Sequence, residues 1–264
     1  MIVTEDLHFI YPDGTHALRG IDLSIKRGEA VAIMGQNGSG KTTLLQHFIG
    51  LLTPTNGRVL IDGMDTRDTT VAELAQFVGY VFQNPDHQFI MGVVEEELHY
   101  AAKTLKLSST ELKRRTNSVL ELLELEHLKQ RRVITLSRGE QQRVTIASVL
   151  IRQPSLLLID QPFLGQDGRQ RLLFSRVLLS LNAEGVTLVI NTHEEDFVSE
   201  NLHRLILLSN GTKLADGDPA VLLSRGEVLK KTNLVVPQRI VIQKALISKG
   251  FNPQEELLQL YTYR

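Results

Sequence analysis

Gly35-Gln36-Asn37-Gly38-Ser39-Gly40-Lys41-Thr42 fits the pattern G-x-x-x-x-G-K-[ST], between an apolar run, Ala30 to Met34, and a helical run, Thr42 to Ile49. Strand, glycine loop and helix in that order form a phosphate cradle. The glycines let successive N–H groups point inward, and the helix N-terminus adds partial positive charge. Lys41 reaches the β and γ phosphates of a nucleotide, and the Thr42 hydroxyl can ligate Mg²⁺. The competing reading is a flexible Gly/Ser loop. At average usage the four fixed positions arise by chance in roughly one chain in a hundred of this length, and the flanking elements decide for phosphate. Leu156-Leu157-Leu158-Ile159-Asp160 is an apolar run ending in a carboxylate, suited to holding Mg²⁺ or its water from a buried strand tip. Alone, such an Asp is more often a helix cap. With the loop it completes a nucleoside triphosphate site.

Val59 to Ile61, Phe77 to Phe82, Val186 to Ile190 and Leu205 to Leu208 are further short apolar runs. They do not alternate with polar residues, so most read as strands buried on both faces. With helical patterns between many of them, the expectation is an α/β P-loop NTPase with a mainly parallel sheet and functional loops at the carboxyl ends of its strands. The first 25 residues differ: Leu7 to Tyr11, the turn Pro12-Asp13-Gly14 and Leu18 to Ile25 predict an antiparallel hairpin set against the main sheet. Charged helical segments from about Val93 to Leu150, including Ser109 to Leu128, predict an inserted α-helical subdomain at approximately 90–152. After Gly211 to Gly217, Asp218-Pro219 reads as an N-cap with proline at the first helical position. These boundaries divide the chain into a nucleotide-binding domain, 1–225, and a helical extension, 226–264. Ile240-Val241-Ile242 and Leu246-Ile247 give that extension apolar surface for dimerisation or packing, and a cover over the sheet edge is equally open.

Composition narrows the partners. Lys+Arg total 29 against Asp+Glu 30, so overall charge supplies no general attraction to nucleic acid or an anionic membrane, and no nucleic-acid partner is expected. Lys113-Arg114-Arg115 and Arg131-Arg132 read as solvated helix faces. The absence of cysteine excludes disulfides, thiolate metal sites and a cysteine nucleophile. Acidic residues near Met1 and the lack of a run of about 18 apolar residues predict a cytoplasmic chain.

Thr135-Leu136-Ser137-Arg138-Gly139-Glu140-Gln141-Gln142-Arg143-Val144, just upstream of the Asp160 strand, resembles the LSGGQ signature of ATP-binding-cassette (ABC) ATPases. The resemblance spans roughly the first 225 residues and includes Tyr11, Gln83, Asp167 and His193 in matching order. Phe82-Gln83-Asn84-Pro85-Asp86-His87-Gln88, then Val94-Glu95-Glu96-Glu97, is similar to the ATPases of energy-coupling-factor (ECF) importers, which also carry a C-terminal extension. The resemblance implies that Tyr11 stacks on adenine. It implies that Gly35 to Thr43 bind the nucleotide and that Thr42, Gln83 and Asp160 serve Mg²⁺. It implies that His193 contacts the γ phosphate and that Asp167 lies in the D-loop. Leu136, Ser137, Arg138, Gly139 and Glu140 would complete the site of a second subunit, with two ATP molecules sandwiched in a head-to-tail dimer.

The chain also departs from that family. Gln161 stands where the residue after the Mg²⁺-associated Asp is a glutamate that polarises the attacking water. An amide orients water but accepts no proton, so turnover is expected to be low while Mg·ATP binding survives. Pro162 to Gly168 carries bulkier residues near the D-loop. Arg138 replaces the first signature glycine and Glu140 its glutamine; Arg138 either offers charge to a γ phosphate or blocks its approach.

The expectation is therefore an ATP-binding and hydrolysing subunit of an ECF-type importer. A second ATPase subunit, the same or different, and an integral membrane subunit would be its partners. It would sit on the inner face of the membrane and drive uptake of a vitamin or metal ion, with coupling near Gln83 to Tyr100. Two alternatives stand beside it: a regulatory ATP-binding subunit with little hydrolysis of its own, and a soluble ABC ATPase acting on DNA or the ribosome.

Overall fold

The computed structural model of the chain describes residues 1–232, 234 and 236–248; the rest of the 226–264 extension lies outside the described residues. The order is β1 (Ile2–Ile10), β2 (His16–Ile25), β3 (Ala30–Met34), α1 (Lys41–Phe48), β4 (Asn56–Ile61), β5 (Met64–Asp65), α2 (Val71–Leu74), β6 (Val78–Val81), α3 (Val94–Ala102), α4 (Ser109–Leu122) and α5 (Arg138–Leu150). There follow β7 (Leu156–Asp160), α6 (Gly168–Ala183), β8 (Thr187–Asn191), α7 (Glu195–Asn201), β9 (Arg204–Ser209), β10 (Thr212–Gly217), α8 (Pro219–Leu222), α9 (Gly226–Thr232) and α10 (Gln238–Ser248).

A six-stranded sheet runs β10-β9-β3-β8-β7-β6. Its pairs are parallel except β10 with β9. A four-stranded antiparallel sheet runs β2-β1-β4-β5. The α/β P-loop architecture with its N-terminal antiparallel region is as expected, with one correction. The strand at Val59 to Ile61 belongs to the antiparallel sheet, because its residues pair with β1. A three-residue apolar run specifies a strand but not its neighbour.

Strand pleating explains the two-faced burial. Ala32, Met34, Leu157, Ile159, Leu188, Ile190, Leu205 and Leu207 face a core shared with the helices of the 94–150 block and α6 to α9. Val31, Ile33, Leu156, Leu158, Val189, Ile206 and Leu208 face the other way, toward Leu44, Leu45 and Phe48 of α1 and the inner face of β1 and β2. Helix α1 is thus packed into one core with both sheets, which holds its first residues, Lys41 and Thr42, against the ends of β3 and β7.

Between β6 and β7 only helices and an isolated bridge, Val93 with Arg132, occur. The helix expected over Ser109 to Leu128 ends at Leu122; Glu124 takes a φ of 53° and a 3₁₀ turn follows at Glu126–Leu128. Glutamate gives no stop signal in sequence, since glycine or asparagine is the usual residue there. Arg114 and Arg115 both pair with Glu111. Asp218 caps α8 by accepting from Val221 N at 3.0 Å. Leu229, Thr232 and Ile240 are buried, whereas Val241, Ile242 and Ile247 are exposed. Among the described residues no helix is long and apolar enough to cross a membrane.

Candidate functional site

The carboxyl ends of β3, β8, β7 and β6 lie side by side, where ligands collect on an open parallel sheet. The loop after β3 curls because its glycines permit it. Gly35 has φ 149° and a Cβ there would run into the Leu208 carbonyl oxygen; at Gly40, φ 99°, a Cβ would lie 2.7 Å from the Ala17 carbonyl oxygen. Lys41 closes the loop by donating from Nζ to the carbonyls of Gly35 at 2.8 Å and Gln36 at 2.9 Å. Burial pushes its ammonium below the ordinary lysine value, opposed by the charge of Asp160.

A cavity of about 770 Å³ opens over the loop. It is lined by Tyr11, Asn37, Gly38, Gly40, Lys41, Thr42, Thr43, Gln83 and Gln161 among the expected residues. Gly35, Gln36 and Ser39 shape the loop without lining the cavity; Gly35 and Ser39 are buried beneath it. The cavity also takes in His16, Arg19, Asn191 and Asn210, which motif spacing does not reveal. Tyr11 meets Phe9 edge-on, with ring centroids 4.8 Å apart, and its hydroxyl lies 3.0 Å from that of Thr43.

Thr42 Oγ1 donates to Asp160 Oδ2 at 2.8 Å. Asn191 Nδ2 donates to Asp160 Oδ1, and the Tyr80 phenol lies close to the same carboxylate. Asp160 is 1% exposed. Burial raises its affinity for a proton, while Thr42, Asn191, Lys41 and Tyr80 pull the other way. Burial, with Asp160 close by, also pushes the Tyr80 phenol far up. The donor set suits Mg²⁺: a hydroxyl and a carboxylate oxygen already in contact, with an amide on the same cavity and no soft ligand. Gln161 holds a φ of 53°, a strained value for a residue with a side chain, and its N–H donates to the Asn191 carbonyl at 2.8 Å. His193 is half-buried; burial, then Lys41, hold its imidazole below the usual value, against Glu194 and Asp160.

The signature-like segment lies apart from this cavity. Leu136 is packed in the core. Ser137 caps α5 in a reciprocal box: its backbone N–H and its hydroxyl both donate to Glu140 Oε2 at 2.7 Å. Arg138 turns toward the segment after Gln83, pairing with Asp86 at 2.9 Å and Asn84 Oδ1 at 3.2 Å. Gly139 is buried beneath the Gln170 amide of α6. Asp167 caps α6, accepting from Gln170 N at 2.9 Å, and lines a different, polar cavity.

Comparison with known proteins shows the family and the fold. A family model described as ABC transporter matches residues 18–164. The energy-coupling factor transporter ATP-binding protein EcfA of Methanothermobacter thermautotrophicus is 36% identical over 265 residues, covering 100% of this chain and 85% of that protein. EcfA of Methanocaldococcus jannaschii is 36% identical over 257 residues, 97% of this chain and 92% of its own length. Among solved structures, cbiO1 from Clostridium perfringens, part of the ABC transporter complex cbiONQ, superimposes with a TM-score of 0.78 at 35% identity, covering 92% of this chain and 98% of that one. A dimeric ATP-binding cassette in a post-hydrolysis state, bound to ADP and Pi, gives 0.76 at 31% identity, with 83% and 99% covered.

Proposed function

The chain belongs to the ABC transporter family of ATP-binding proteins, and from that premise we propose that it is the ATP-binding and hydrolysing motor subunit of an ECF-type importer. The observation that carries the reading is the Thr42 to Asp160 contact at the wall of a cavity of the right size for a nucleotide. Tyr11 would stack on adenine, and Asn37 to Thr43 would surround the phosphates. Thr42, Asp160 and Gln83 would hold Mg²⁺, which when bound neutralises phosphate charge. Attack of water on the γ phosphorus breaks its bond to the bridging oxygen and yields ADP and phosphate. Gln161 orients that water without taking its proton, which passes to an oxygen of the phosphate being released, and a neutral His193 donates to a γ oxygen. Own-site turnover is therefore slow.

The active form in this reading is a head-to-tail dimer with a second ATPase subunit, bound to a membrane subunit that carries a vitamin or metal ion. The membrane partner would dock beside the segment from Gln83 to Tyr100, where Ile90 is 63% exposed. The ATP-binding domain would span 1–225, with its helical subdomain near 90–152, and residues 226–264 would serve packing or dimerisation. Burial of Leu229 and Thr232 supports packing. A second reading, a regulatory subunit paired with an active partner, is favoured by two observations: Gln161, and the engagement of both Ser137 donors by Glu140.

Light scattering with Mg·ATP, with Mg·ADP as control, tests the proposal. A dimer formed only with ATP supports a self-paired motor. A chain that binds ATP yet stays monomeric shifts the reading to a heterodimer. Failure to bind Mg·ATP overturns it.

A further inference from the structure

We infer that Asn191 is a positioning residue for the phosphate reaction: it fixes the Asp160 carboxylate through its side chain and Gln161 through its backbone. The inference rests on the ATPase reading above. Register sets Asn191 beside Asp160 at the adjoining tips of parallel β8 and β7. Asn191 Nδ2 donates to Oδ1 of that carboxylate, whose Oδ2 accepts from Thr42 at 2.8 Å. An ionised carboxylate only accepts, so the amide nitrogen must face it. The main-chain carbonyl of Asn191 accepts from Gln161 N at 2.8 Å, tying down the residue with the left-handed φ of 53°.

The rest of β8 shows what this position gives up. Leu188, Val189 and Ile190 are buried and apolar, as a central strand favours. Asn191 is 1% exposed, lines the nucleotide cavity, and keeps a buried Oδ1 that has no partner among the described residues. An apolar side chain would avoid that cost. The donor toward Asp160 is what the amide adds. With it, one carboxylate oxygen is engaged by Asn191 and the other is turned to Thr42, so the metal-binding edge of Asp160 is set before any ligand arrives.

The test is Mg²⁺ titration of binding of a fluorescent ATP analogue to the whole chain, as wild type, Asn191→Leu, Asn191→Ala and Asn191→Ser. Leucine keeps the branched heavy-atom skeleton, with somewhat more bulk, and loses the donor; alanine serves if leucine disrupts the strand; serine retains a hydroxyl donor. The half-saturating Mg²⁺ concentration is expected to rise about tenfold or more in Asn191→Leu and Asn191→Ala, the range for losing a group that orients a metal ligand. Affinity in EDTA should stay near that of wild type, and Asn191→Ser should recover part of the loss. Unchanged Mg²⁺ dependence in a folded Asn191→Leu or Asn191→Ala overturns the inference. So does an equal loss with and without Mg²⁺, which marks packing alone. If wild type binds no ATP analogue under either condition, it is the ATPase reading that fails.

Discussion

Thr42 and Asp160, 118 residues apart in sequence, meet at 2.8 Å, hydroxyl to carboxylate. The contact exists because α1 begins at the end of β3 while β7 ends two strands away in the same sheet. A buried carboxylate that loses a donor becomes harder to ionise. Thr42→Ala should therefore weaken Mg²⁺-dependent ATP binding by about tenfold, in line with one hydrogen bond to a charged group. Calorimetric titration with and without Mg²⁺ checks this; a loss of the same size in EDTA would place the effect on the loop instead.

Gln161→Glu supplies the missing proton acceptor. Turnover measured by phosphate release should rise by about 10² to 10⁴, the usual contribution of a general base. ATP affinity should change little, because the residue keeps its backbone bond to Asn191. No gain would mean that some other feature, such as the signature segment, limits the reaction.

Tyr11 offers two separable contributions, a ring and a hydroxyl. Tyr11→Ala should weaken ATP binding about tenfold, within the range for base–aromatic stacking. Tyr11→Phe loses only the 3.0 Å contact with Thr43 and should bind nearly as wild type. Equal losses in both variants would assign the role to the hydroxyl.

His47 is fully buried, its Nδ1 lies 2.7 Å from the Thr43 carbonyl, and its ring packs edge-on to Phe9. Burial holds its pKa below the ordinary 6.5. The unfolded chain therefore binds the proton first as pH falls, so stability rises with pH across that window and is lost below about pH 6.5. His193, shifted the same way, adds to the slope. Urea midpoints at about pH 7.5 and about pH 5.5 should differ clearly in wild type and less in His47→Leu; an undiminished difference would remove His47 from the account.

What the sequence makes legible is what chain-local spacing encodes. The phosphate loop, the Asp160 strand and the Asp218 cap are short patterns whose parts interact with near neighbours or with a ligand. Asn191 and Tyr80 reach Asp160 only because β8 and β6 flank β7, and strand order is not written in an apolar run. His16 and Arg19 join the cavity from β2 of the antiparallel sheet and Asn210 from the turn between β9 and β10, again long-range events. Arg138 is visible as a departure from the signature, but its partners Asn84 and Asp86 are more than fifty residues upstream. The strand Thr212–Gly217 alternates weakly and ends in glycine, so it reads as a connection until β9 pairs with it.

Strands β7 and β8 are apolar for most of their length and polar at the last residue, Asp160 and Asn191. Chemistry and folding are thereby assigned to different positions of one segment. A mutational scan along either strand should show a change in what is tolerated: hydrophobic exchange through the middle, almost nothing at the tip. For anyone redesigning the cavity, both strands are therefore best kept whole, tip included, and new specificity sought at lining residues outside them, such as His16, Arg19 and Asn210, where change does not renegotiate the fold.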